Sequence, residues 1–185
     1  VYALPHGTDD RALYWNRALF RNAGLDPDKP PRTWRELEAM ALRLTKRRAD
    51  GTYKQIGFIP NYGNSWLYLY SWQNGGEFMS GDGRRCTLDN PDTVGALRWM
   101  VKVYDLLGGA SSVTAFQNTF VGDELDPFFT GKVAMKIDGN WVLNSIARFA
   151  PQLDFDAAPA PIPEDRLKGV GRFSGPASGG PKFIT

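Results

Sequence analysis

The sequence has 185 residues, of which 42% are hydrophobic and 23% charged, a composition typical of one globular domain and not of a disordered chain. Its 22 basic and 20 acidic residues leave a net charge of +2, which argues against an extended basic face and so against nucleic acid as a partner. No run of about 20 apolar residues predicts a membrane span, and a single cysteine (Cys86) and a single histidine (His6) argue against a disulfide and against Cys- or His-based metal sites.

The first part of the chain alternates short strands and helices. Residues 12–16 are predicted to form a strand, and residues 17–23 a short helix. Residues 33–36 form a capping box, and the helix that they begin is predicted to run to about Arg48. A further strand is expected over residues 55–60, so the pattern favours an α/β sheet.

A polar loop with aromatic residues follows that strand. Residues 61–66 read Asn-Tyr-Gly-Asn-Ser-Trp, and the apolar residues 67–72 then predict a buried helix. Asn90 and Pro91 have the N-cap and N1 pattern of another helix. This helix is predicted to bury the apolar side chains of Val94, Leu97, Val101, Tyr104 and Leu107. Four tryptophans lie within apolar patterns and are predicted to be core residues: Trp15, Trp34, Trp72 and Trp99.

The stretch from residue 121 to residue 149 is the one around which we expect the chain to be organised. Residues 132–137 alternate apolar and polar side chains as a half-buried strand does. Asn140 is a predicted N-cap for a helix that begins at Trp141 and buries Val142, Ile146 and Phe149. Trp141 is therefore expected at the carboxyl end of a strand, the edge where open α/β sheets hold their ligands.

Three blocks of the sequence resemble the family 1 extracellular solute-binding proteins of ABC importers, the maltose-binding-protein-like family. Residues 128–141 match the pattern F-x-x-G-K-V-A-M-x-I-x-G-x-W, and the block at residues 154–163, with Leu153 before it, is similar to L-x-F-x-x-A-P-x-P. Residues 2–37 follow the pattern that includes L-Y-Y-N-K-x-L-F and T-W-x-E-L, with Trp15 in place of the second Tyr and Arg17 in place of Lys.

This resemblance implies a layered α/β sheet with helices on both faces, as the second lobe of a two-lobed, periplasmic-binding-protein-like (type II) fold. Residues 1–185 would form an incomplete second lobe, with residues 1–5 and 175–185 as hinge-crossing strands and the first lobe absent. We expect an excerpt of a longer protein, because the chain starts at Val1 without Met. The absence of a signal segment from this sequence therefore gives no information about where the protein is located. The resemblance implies an extracytoplasmic location, either in the periplasm or lipid-anchored at the cell surface.

The candidate ligand-binding residues lie in the predicted loops and near the first strand. In the family the tryptophan of the central motif tends to stack on a sugar ring, and Asp10 lies where the family has an acid near the hinge. Aromatic faces suit the C–H faces of sugars, and amides suit their hydroxyls. The predicted site residues are Trp141, Trp66, Tyr62, Asn140, Asn61, Asn64 and Asp10. For Trp66 packing against the helix is an equal alternative, and for Tyr62 and the asparagines a turn or cap role.

The resemblance implies a non-catalytic binding component of an ABC importer, monomeric, that binds a sugar or oligosaccharide and meets permease subunits. No catalytic residue, cofactor or metal is expected, because no G-x-S-x-G elbow or phosphate loop is present and the acidic run 123–126 lacks EF-hand spacing. The loops 61–66 and 138–141 contain no Arg or Lys for an anionic ligand, and Asp138 is their only charge. The alternatives are a carbohydrate-active enzyme or transferase domain with an aromatic-lined cleft, and a scaffold lobe that binds nothing.

Overall fold

The computed structural model describes residues 10–167 as a five-stranded mixed sheet with helices on both faces. The predicted hinge-crossing strands, 1–5 and 175–185, lie outside the described residues. The elements in chain order are β1 (Arg11–Asn16), α1 (Arg17–Asn22), α2 (Trp34–Leu44), β2 (Lys46–Arg47), β3 (Tyr53–Gly63), α3 (Leu67–Asn74), α4 (Pro91–Leu106), α5 (Ala110–Gln117), a 3-10 turn (Asp123–Leu125), β4 (Val133–Gly139), α6 (Val142–Phe149) and β5 (Phe155–Pro159).

The strand order β2-β3-β4-β1-β5 brings distant parts of the chain to one edge of the sheet. β3 and β4 are parallel, with Gly63 opposite Ile137, so their carboxyl ends lie side by side. β1 runs antiparallel to β4, with Arg11 opposite Gly139. The start of β1 therefore lies at the same edge as the ends of β3 and β4.

Side chains of β1 alternate between two hydrophobic layers. Leu13 and Trp15 face the larger core, which also contains buried residues of α2 and α4. Tyr14 faces a smaller cluster with Phe128 and, from α6, Val142. The sheet is thus covered on both sides, and the predicted α/β layered class is confirmed.

The central strand is buried along its whole length, which corrects the half-buried pattern expected for residues 132–137. All seven residues of β4 are buried. Val133, Met135 and Ile137 belong to the large core. Lys136 and Asp138 are buried as well, and they form an ion pair at 2.9 Å.

Helix α4 buries only part of the face predicted from its spacing: Leu107, just past its end, is buried as expected. Leu97 and Val101 are exposed, while Trp99 and Met100 are buried. The indole of Trp99 stacks on Trp34 with 4.3 Å between ring centroids. Apolar residues occupy both faces of this helix, so the periodicity alone did not determine which side meets the core.

Several other boundaries also differ from those expected. α2 ends at Leu44 and not near Arg48, and a helix, α5, occupies a segment without a clear pattern. Of the four tryptophans predicted as core, Trp72 is only half-buried, whereas the other three are buried. Within the described part of the chain, no helix is both long and apolar enough to cross a bilayer.

Candidate functional site

Three segments meet at the edge formed by the ends of β3 and β4 and the start of β1. They carry six of the seven predicted site residues: Asn61, Asn64, Trp66, Asn140, Trp141 and Asp10. The remaining one, Tyr62, lies beneath them. This convergence follows from the strand directions, because parallel β3 and β4 end together and antiparallel β1 begins there.

Trp141 is presented to solvent at this edge, with 41% of its surface exposed. It occupies the residue before α6, so the helix begins one residue later than predicted. The predicted N-cap role of Asn140 is wrong, since no side chain caps this helix and Asn140 is exposed. A side chain at Gly139 would collide with the six-membered ring of Trp141. The indole therefore lies directly against the backbone of the strand end.

Trp66 is the second exposed indole, with 55% of its surface open to solvent. β3 extends three residues further than predicted, to Gly63, whose φ of +78° and close approach to the carbonyl oxygen of Ile137 require glycine. Ser65 then fixes the turn by donating to the carbonyl of Pro60 at 2.8 Å. These contacts place Trp66 at the start of α3, outside the core.

A row of aromatic rings continues from Trp66 along α3. Trp66 meets Tyr68 edge to face at 6.5 Å between centroids, and Tyr68 meets Trp72 at 5.2 Å. Trp72 in turn contacts Phe78 at 5.5 Å. The half-buried position of Trp72, predicted as core, results from its place in this row. Each ring is held by its neighbour, which limits its rotamer freedom.

Arg11 links the two halves of the edge, and no local sequence pattern pointed to it as a site residue. Its Nε donates to the backbone carbonyl of Asn64 at 3.1 Å, and Nη2 donates to the hydroxyl of Tyr68 at 3.4 Å. The guanidinium carbon lies 4.6 Å from the ring centroid of Trp141, within cation–π range. Only 6% of Arg11 is exposed. The available sequence signal was its position beside Asp10 at the first residue of a strand.

The polar residues around the two indoles differ in their exposure and in the hydrogen bonds that their side chains form. The side-chain carbonyl of Asn64 accepts from Tyr68 at 3.2 Å, and Asn64 is half-buried. Asn61, Asn140 and Asp10 are exposed. Asp10 precedes Arg11, whose partner in β4 is Gly139. The edge thus offers amide and carboxylate groups beside two open aromatic surfaces.

A buried ionic network lies under the site. Lys136, with a side chain only 3% exposed, is 2.9 Å from Asp138 and 3.0 Å from Asp126. Its ammonium also lies 4.8 Å from the ring centroid of Tyr62, whose hydroxyl donates to Asp126. Asp138 accepts in addition from the backbone N–H of Gly139 at 2.8 Å. Asp138, the only charged residue of the loops 61–66 and 138–141, is thus neutralised within the protein, and Arg11 and Lys136 add two buried cations at this edge from outside those loops.

Two tyrosines beside this network have raised pKa values. Burial, followed by the nearby carboxylate of Asp126, holds the pKa of Tyr62 well above its usual value. Burial and the charge of Asp138 likewise raise the pKa of Tyr14, whose hydroxyl donates to the carbonyl of Gly139. Both phenols therefore stay protonated at ordinary pH. Tyr62 is engaged at its hydroxyl and beside its ring, so its geometry favours support of the site.

The arrangement can hold a molecule that has an apolar face and a hydroxylated rim. Two exposed indoles provide the stacking surfaces, and short polar side chains beside them can donate and accept hydrogen bonds. Among residues 10–167 no group of three or more Asp, Glu, His or Cys side chains is placed to hold a metal ion. The groups exposed at this edge can stack on an apolar face and form hydrogen bonds.

Comparison with known proteins gives one consistent relationship. Residues 2–178 match the family model described as bacterial extracellular solute-binding protein. A structure of CpMnBP1 with mannobiose bound is 36% identical, has a TM-score of 0.80, and is matched over 88% of this chain and 41% of that one.

Two further relatives match over similar parts of this chain. An ABC transporter solute-binding protein from Thermotoga lettingae, bound with alpha-D-tagatose, is 26% identical with a TM-score of 0.68, over 87% of this chain and 41% of that one. The sn-glycerol-3-phosphate-binding periplasmic protein UgpB of Salmonella typhimurium is 29% identical over 155 residues, 81% of this chain and 33% of that protein. The chain thus spans between a third and about two fifths of the length of these relatives. On the match over residues 2–178, the chain belongs to the bacterial extracellular solute-binding protein family.

Proposed function

We propose that this chain is the second lobe of the solute-binding component of an ABC importer, and that its sheet edge binds a sugar or oligosaccharide without chemical change. The observation that carries the proposal is the pair of exposed indoles, Trp141 and Trp66, at one edge of the sheet. Exposed tryptophans held in place by neighbouring groups are costly to leave in water unless they meet a partner.

The chemistry of the edge favours a neutral, hydroxylated ligand over an anion. The guanidinium of Arg11 and the ammonium of Lys136 are buried and engaged with protein groups. A phosphate would require exposed Arg or Lys donors at the edge. Two of the relatives above carry mannobiose and tagatose in their structures, whereas the third is named for sn-glycerol 3-phosphate. The aromatic edge agrees with the first two.

The proposal includes a cleft between this lobe and a first lobe outside the chain, closed by a hinge motion. Residues 1–5 and 175–185 would be the strands that cross the hinge. Family membership supports an extracytoplasmic location, which we propose to be the periplasm or, with a lipid anchor, the cell surface. The proposed partners are the ABC permease subunits, and the proposed state is a monomer.

The test is a binding panel with the complete two-lobed protein. Thermal shift and calorimetry are measured with mannobiose, D-tagatose and sn-glycerol 3-phosphate, and the saccharides are analysed for products afterwards. We expect saturable binding of a saccharide, weaker or no binding of glycerol phosphate, and no products. Cleavage or transfer products would support the enzyme alternative, and no binding across a wider sugar panel would support a scaffold role.

A further inference from the structure

We infer that Arg11 is the positioning residue of this site, and that it fixes the relation between Trp141 and the aromatic start of α3. This inference deepens the proposed function and rests on it for its ligand. No pattern around residue 11 assigns such a role. The role follows from the contacts of one guanidinium with both halves of the edge.

The two indoles belong to separate segments of the chain. Trp141 follows β4, whereas Trp66 follows β3 and is separated from the strand by a short turn. The paired strands align the segment ends, with Gly63 opposite Ile137. The turn at residues 64–66 is held to β4 by one weak bond, from the N–H of Asn64 to the carbonyl of Ile137 at 3.3 Å. Ser65 fixes this turn to β3, but none of these bonds involves the ring of Trp141 or that of Trp66.

Arg11 supplies the missing connection. Its Nε donates to the carbonyl of Asn64, and its Nη2 donates to the hydroxyl of Tyr68, whose ring meets Trp66. On the other side the same planar group lies over the ring of Trp141. A guanidinium has a fixed fork of donors and a flat face, so it can hold hydrogen-bond acceptors and an aromatic ring at the same time. A lysine ammonium could satisfy only one of these contacts well.

Burial shows that Arg11 acts through its neighbours and not as a ligand contact. Only 6% of it is exposed, against 41% of Trp141. A ligand at the edge would therefore meet the indoles and the exposed asparagines, with Arg11 behind them. A site whose rings are already oriented loses less conformational entropy on binding. Removal of Arg11 should thus weaken binding while the two tryptophans remain.

Arg47 provides a matched control at the other end of β3. Its guanidinium carbon lies 4.2 Å from the ring centroid of Tyr53, and it donates to the Tyr53 hydroxyl at 2.8 Å and to the carbonyl of Leu107 at 2.6 Å. It therefore makes the same kinds of contact as Arg11, remote from the candidate site, although Arg47 is exposed and Arg11 is buried. Comparison of the two variants separates the loss of stability that follows removal of either arginine from the loss of site geometry that follows removal of Arg11 alone.

The experiment compares Arg11→Met, Arg11→Lys and Arg47→Met in the complete protein. For whichever saccharide of the panel binds the wild type, we expect about tenfold weaker binding by Arg11→Met. Arg11→Lys should show a smaller loss, and Arg47→Met should bind as the wild type. Wild-type affinity in a folded Arg11→Met, or an equal loss in Arg47→Met, would overturn the positioning role.

A spectroscopic readout tests the same role without any ligand. Arg11→Met should shift the tryptophan emission and near-ultraviolet circular dichroism, and most of this difference should vanish in a Trp141→Phe background. A difference of the same size in that background would refute the contact with Trp141. If the wild type binds no saccharide, the proposed function fails, and this spectroscopic cycle still determines whether Arg11 orients Trp141.

Discussion

Replacement of Trp141 by alanine tests how much of the binding free energy this indole provides. Trp141 exposes 41% of its surface, and since a tryptophan has about 250 Å² to bury, about 100 Å² is open to a ligand. At about 25 cal/mol per Å², complete cover of this area contributes at most about 2.5 kcal/mol. A sugar ring covers part or all of it, so we expect Trp141→Ala to cost about 1–2.5 kcal/mol, or about 5- to 70-fold in Kd.

The assay is calorimetric titration of the complete protein with the saccharide that binds the wild type. Leu97→Ala is the matched control, because Leu97 is similarly exposed but lies on α4. We expect the control to keep the wild-type Kd, and both variants to keep the far-ultraviolet circular dichroism spectrum of the wild type. An unchanged Kd for a folded Trp141→Ala protein would refute the reasoning. An equal loss of affinity in both variants would mean that reduced stability, and not a lost ligand contact, weakens binding.

Three further predictions concern the support beneath the indole. Gly139→Ala should move the ring of Trp141, because the added methyl meets it, and should weaken binding to between the wild-type and Trp141→Ala values; an unchanged Kd would count against this contact. Lys136→Met leaves two carboxylates without their buried partner, and urea titration should show about 3–5 kcal/mol less stability, whereas Lys29→Met, at the exposed pair with Asp26, should leave the stability nearly unchanged. The raised pKa of Tyr62 means that the folded state keeps a proton that the unfolded chain releases above about pH 10; stability should therefore fall above that pH, and a Tyr62→Phe variant that falls as steeply would contradict this cause.

The position of Trp141 could be predicted from sequence because local signals determined it. A strand followed by a turn and a helix put Trp141 at the end of β4, and the structure leaves it exposed there. Trp66 was equally compatible with stacking and with packing, and its high exposure now favours stacking. Both predictions depend on chain direction within a few residues, which periodicity and turn residues define.

The features that sequence did not reveal depend on contacts between distant segments. Arg11 lies 53 residues from Asn64 along the chain, and no local pattern pairs them. The buried face of α4 was assigned wrongly at Leu97 and Val101, because apolar side chains lie on both sides of the helix. The stacking of Trp99 on Trp34 and its hydrogen bond to Glu38 at 2.8 Å fix the buried face. The burial of Asp138 could not be predicted from sequence, because its ion-pair partner, Lys136, becomes apparent only when the strand is known to be buried.

The central claim is that a saccharide binds at the edge formed by the ends of β3 and β4. The most direct test is a crystal structure of the complete protein with the saccharide that it binds. We predict that a sugar ring lies in van der Waals contact with Trp141 or Trp66, with Arg11 behind the indoles and not touching the ligand. A ligand bound away from both indoles would contradict the account.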